Sequence, residues 1–92
     1  DMYEINLLFN DFSKRVNDLK ECLKIETLKQ EISNLEEKTN ETNFWDDNRS
    51  ASKILKQISK DKNHIEQVLK LESMISDFKD LINNQFHERL IV

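Results

Sequence analysis

From Ile5 the apolar residues fall at Ile5, Phe9, Phe12, Val16, Leu19 and Leu23, spaced four, three, four, three and four. That spacing keeps one helix face against a partner and predicts a helix over residues 4–23 with a single buried stripe. Ile25, Leu28, Ile32 and Leu35 repeat the pattern out of phase with the first set. The stripe therefore turns by more than a quarter turn around residues 23–26. Either one helix bends there, or two helices covering about 4–23 and 26–39 meet.

A third set runs Ala51, Ile54, Leu55, Ile58, Ile65, Val68, Leu69, Met74, Ile75, Phe78, Leu81 and Ile82, with Lys62 and Glu72 interrupting it. It predicts one long helix over about 48–83. Asp46 or Asp47 is placed to cap its start, because a carboxylate there accepts a free backbone N–H at the positive end of the helix dipole. Asn83-Asn84 is the expected end, since asparagine tolerates the left-handed capping conformation. At 1.5 Å per residue the long helix measures about 54 Å and the two earlier pieces together about 51 Å. The earlier segments can then cover most of the long helix, stacked end to end or folded side by side.

Between the second and third sets, residues 39–47 (Thr-Asn-Glu-Thr-Asn-Phe-Trp-Asp-Asp) break the pattern, with a loop expected over 40–47. Punctuation elsewhere is scarce. Average usage predicts about eleven Gly and Pro in a chain this long, and there are none. Few backbone turns needing positive or locked φ can exist, which favours few, long helices over strands. The fold class expected is all-α: a single helical domain, an antiparallel bundle or coiled-coil-like hairpin built on one long helix.

Charge adds an asymmetry. Residues 26–48 carry seven acids against two lysines, and residues 49–70 carry Arg49, Lys53, Lys56, Lys60, Lys62 and Lys70 against Asp61 and Glu66. The favoured account is an acidic helix lying antiparallel to a basic one with flanking charges paired, each pair worth about 0.2–1 kcal/mol. The competing account, a nucleic-acid stripe along 49–70, is opposed by the chain's net charge of −4 and by the lack of exposed aromatics interleaved with the cations. No apolar run approaches the roughly 20 residues a membrane span needs. Cys22 is the single cysteine, which excludes an internal disulfide and is compatible with a cytoplasmic location.

Catalytic chemistry finds no foothold. Without glycine there is no phosphate-cradling loop, dinucleotide fingerprint or nucleophile elbow. His87-Glu88 opens a zinc-protease helix motif, but Ile91 stands where the second histidine belongs. Cys22, His64 and His87 offer no metal-ligand spacing. The adjacent acids Glu36-Glu37 and Asp46-Asp47 point apart or cap a helix, so they do not form an acid–base pair. No catalytic, metal or cofactor-binding residue is expected, and no cofactor. Phe44 and Trp45 are expected to act as structural anchors, both rings tucked under the hairpin turn. The alternative is an exposed aromatic docking point.

Leu23-Lys24-Ile25-Glu26, Ile32 to Lys38 (Ile-Ser-Asn-Leu-Glu-Glu-Lys), Asn43-Phe44-Trp45-Asp46-Asp47 and the following Ala51, Ile54 run resemble the N-terminal domain of bacterial peptide chain release factors. The type reading UGA and UAA, release factor two, is the most similar. The likeness is clearest over residues 23–58. Where that family often has Asp-Pro before the aromatic pair, Glu41-Thr42 stand here, and side-chain turns from Asn40 and Thr42 can still form the loop.

The resemblance implies a part in translation termination. It also implies that the Gly-Gly-Gln motif promoting peptidyl-tRNA hydrolysis and the Ser-Pro-Phe codon-reading tripeptide lie outside these residues, which contain no glycine or proline. The partners implied are the ribosome at the stalk base of the large subunit and the GTPase release factor, with no membrane contact and no sequence-specific nucleic-acid binding by this segment. The apolar residues 85–92 suggest a piece of a larger protein, and an open seam also allows a homodimer. A reading from a different class is an unrelated coiled-coil adaptor or spacer.

Overall fold

The computed structural model describes the backbone of residues 1–91 and the side chains of residues 1–84. Three helices follow in order: α1 (Met2–Leu23), α2 (Ile25–Thr39) and α3 (Asn48–Ile91), with a single 3₁₀ turn at Phe44–Asp46 before α3. No strand occurs among the described residues. The molecule is a rod of 68 × 23 × 16 Å with a radius of gyration of 20.1 Å, against about 12 Å for a compact domain of this length. α3, at 44 residues, measures about 66 Å and so runs the full length of the rod.

α1 and α2 lie end to end along α3, both antiparallel to it. Phe9 meets Phe78 with ring centroids 6.1 Å apart, Lys20 Nζ reaches Glu72 Oε2 at 3.2 Å, and Lys62 Nζ reaches Glu36 Oε1 at 2.7 Å. Rising numbers on α1 and α2 thus meet falling numbers on α3. The core is a thin line of Val16, Ile25, Phe44, Ala51, Ile58 and Val68, joined by one charged residue, Asp61.

The join between α1 and α2 is one residue. Lys24 adopts φ 52°, ψ 59° and is the only positive-φ residue described. Its N–H donates to Glu21 O at 3.1 Å, closing α1. Its own carbonyl accepts from Leu28 N at 3.0 Å, opening α2. Two helices therefore meet at the slip in the seam, and one helix does not bend there. A left-handed position normally falls to glycine, and a side chain there costs about 1–2 kcal/mol.

The expected end of α3 at Asn83-Asn84 is corrected: the helix continues to Ile91. Asparagine costs a helix interior only a few tenths of a kcal/mol, and neither Gly nor Pro follows to stop it. α1 likewise starts earlier than expected, because Asp1 Oδ1 accepts from Glu4 N at 2.9 Å and caps it. What covers residues 85–92 lies outside the described side chains.

Candidate docking surface

The corner between α2 and α3 is built from local hydrogen bonds. Thr39 Oγ1 donates to Glu36 O at 2.6 Å, and the amides of Asn40 and Glu41 donate to Glu37 O and Lys38 O, each at 3.1 Å. These ties close α2. Phe44 N donates to Glu41 O and Asp46 N to Asn43 O, both at 3.1 Å, forming the 3₁₀ turn. Asp47 Oδ1 then accepts from Arg49 N and Ser50 N, each at 3.1 Å. Asp47 thus caps α3, while Asp46 lies inside the turn.

The corner separates its two aromatic rings. Phe44 is buried at the end of the core, but Trp45 is 62% exposed. The expectation that both rings tuck under the turn is corrected for Trp45. A 3₁₀ turn advances about 120° per residue, so consecutive side chains cannot share one pocket. The indole instead packs edge-on against Phe44, with centroids 4.9 Å apart and planes at 83°, a favourable aromatic geometry. It forms one wall of an open groove of about 380 Å³ along the first turns of α3, with Ser52, Leu55, Lys56 and Ser59 among the lining residues.

Beside this groove runs a row of cations. Arg49, Lys53, Lys56 and Lys60 are all exposed. Lys56 and Lys60 sit two residues beyond Ile54 and Ile58, about 200° around the helix, so the row lies away from the core. The expected pairing of an acidic and a basic helix occurs once among the described residues, at Lys62–Glu36. No described carboxylate pairs with Arg49, Lys53, Lys56 or Lys60.

A second opening lies at the far end of the rod, where Leu8, Phe9, Phe12, Met74 and Phe78 line an apolar groove of about 320 Å³. Leu8, Met74 and Leu81 are more than half exposed there, so α1 covers this end of α3 incompletely.

Chemically reactive side chains remain scattered. Cys22 is exposed, His64 is half-buried, and His87 lies outside the described side chains. No group of three or more potential metal ligands forms among the described residues. No described helix is long and apolar enough to cross a membrane.

One functional-looking feature escaped the sequence reading. Asp61 is only 2% exposed. Lys62, taken as a break in the seam, lies on the flank with Glu36, and Asp61 occupies the seam position. The signal was present: the sites 51, 54, 58, 65 and 68 continue the three–four spacing only if 61 is included. Glu72, also on that spacing, is half-buried and pairs with Lys20.

The chain is 32% identical over 79 residues to peptide chain release factor 2 of Petrotoga mobilis, covering 86% of this chain and 21% of that protein. It is 28% identical over 82 residues to the chloroplastic peptide chain release factor PrfB1 of Arabidopsis thaliana, covering 89% of this chain and 18% of that protein. Peptide chain release factor 2 of Nautilia profundicola is 26% identical over 81 residues. The chain spans about a fifth of the length of these relatives. No protein-family profile matches the chain, and no solved structure does. Over most of its length this chain is thus similar to about a fifth of the length of peptide chain release factors, release factor 2 among them.

Proposed function

We propose that this chain is the N-terminal helical domain of a translation-termination factor, a rod that positions a larger protein on the ribosome. The carrying observation is the 32% identity to a release factor 2 over 79 residues, nearly the whole helical rod. Codon reading and peptidyl-tRNA hydrolysis would belong to other parts of such a protein, since Gly-Gly-Gln and Ser-Pro-Phe need residues this chain lacks. In this reading the chain acts by docking, in the cytoplasm, against the large-subunit stalk base and the GTPase release factor. Exposed Trp45 and the open groove beside it are the docking elements, and Phe44 anchors the corner.

A chimera tests the reading. The corresponding segment of a bacterial release factor 2 is replaced by this chain, and readthrough of a UGA stop is compared with that of the factor lacking the segment. Termination restored above the segment-less protein is the expected result. A chimera no better than the deletion would leave the adaptor reading in its place, and dimerisation at micromolar concentration by sedimentation would then support it.

A further inference from the structure

We propose that Trp45 and the row Arg49, Lys53, Lys56 and Lys60 form a binding surface for single-stranded RNA, the indole stacking on a base and the cations following the phosphates. Trp45 is 62% exposed, and every nucleic-acid base offers a π-face to such a platform. The four cations follow at spacings of four, three and four, on one side of α3. From Arg49 to Lys60 they run about 16 Å, roughly the axial length of five stacked nucleotides at 3.4 Å per charge on a strand.

The charges around this surface favour an anion despite the chain's net −4. From residue 48 to 60 the only charged side chains are those four cations. The Asp47 carboxylate is turned onto the amides of Arg49 and Ser50 as the helix cap, and Asp46 follows the indole in sequence. The acidic residues Glu31, Glu36 and Glu37 belong to α2, which packs on the core side of α3. Lys56 ties the two halves together because it lines the same groove as Trp45. An exposed aromatic beside the cations, the element missing from the linear pattern, is thus supplied by Trp45. The choice of RNA over DNA rests on the ribosomal reading above, and the surface itself does not.

Trp45 is the only tryptophan, so its fluorescence reports on the site directly. The 92-residue chain is titrated with a twelve-nucleotide oligoadenylate at 50 and 200 mM salt. Quenching is expected, with a log–log salt slope of about −2.8 for four phosphate contacts on a single strand. The Lys53→Gln/Lys56→Gln variant should reduce that slope by about 1.4 and weaken binding by roughly an order of magnitude or more at 50 mM salt. A Trp45→Leu variant, followed by anisotropy of a labelled oligonucleotide, should bind more weakly while keeping the slope. Absence of salt-dependent quenching overturns the proposal, as does binding indifferent to the lysine substitutions. Poly-glutamate binding as tightly as the RNA also overturns it and identifies an acidic protein as the partner. The chimera's termination activity is measured separately, so the ribosomal reading survives or fails independently of this result.

Discussion

Glu31 on α2 and Asp61 on α3 face each other as two carboxyl groups across the helix interface, with no cation between them. Asp61 Oδ1 accepts from Gln57 Nε2 at 2.8 Å, while its Oδ2 is buried and lacks a hydrogen-bond donor among the described groups. A hydrogen bond to Asp61, then desolvation, then the charge of Asp61 hold the Glu31 carboxyl above the usual carboxylate range. Two ionised carboxylates here repel each other and leave the buried Asp61 Oδ2 without a donor. The nearby Lys62 is turned to Glu36 and does not neutralise the pair.

Stability should therefore fall as pH rises. Glu31 binds its proton more tightly in the folded chain than in the unfolded one, so its contribution is fully present below the unfolded pKa. It is lost as pH rises through the raised folded value. Urea midpoints measured between pH 4 and pH 7 should decline across that window, more steeply than in a Glu31→Gln variant. Identical slopes in the two proteins would show that the carboxyl pair is not shared.

Asp61→Asn should raise stability at pH 7. The amide keeps an oxygen for Gln57 and supplies an N–H toward Glu31, so a buried acceptor without a donor becomes a satisfied pair. Relieving such a group is worth about 1–3 kcal/mol, visible as a higher thermal midpoint. A variant less stable than the parent at neutral pH would mean that Asp61 has a partner this geometry does not reveal.

The two aromatic residues of the corner should differ sharply on truncation. Phe44→Ala removes a buried ring from the end of the core and should cost about 3–5 kcal/mol. Trp45→Ala removes a mostly exposed ring and its edge-on contact, and should cost about 0.5–1.5 kcal/mol. Equilibrium denaturation of both variants measures the difference. Equal losses would place the indole inside the core.

Lys24→Gly should stabilise the α1–α2 join. Glycine adopts φ 52°, ψ 59° without the side-chain penalty of about 1–2 kcal/mol, part of which is offset by its more flexible unfolded state. A net gain of about 0.5–1 kcal/mol by chemical denaturation is expected. A loss would mean that the Lys24 side chain makes a stabilising contact larger than the strain.

Much of this rod is legible in the linear pattern because a helical seam is a local property. Apolar spacing of three and four, with no Gly or Pro, determined an all-helical chain with a slip in its seam at residues 23–26, a long final helix and a corner at residues 39–47. A carboxylate at Asp46 or Asp47 marked the start of α3 to within a residue, since a cap acts over two or three residues, and the structure chose Asp47. The family likeness was legible for the same reason, resting on short runs within residues 23–58.

Only tertiary structure decided which side chains meet. Whether α1 and α2 stack or fold side by side depends on one backbone conformation at Lys24, which no residue type there announces. Asp61 became a buried carboxylate because α2 packs over it, and it faces Glu31 only through the antiparallel alignment of two helices. Trp45 was freed because a 3₁₀ turn gives the core one ring and solvent the next. Sequence spacing specifies faces; burial, charge pairing and exposure arise where faces are brought together, and those depend on distances that the chain's order does not contain.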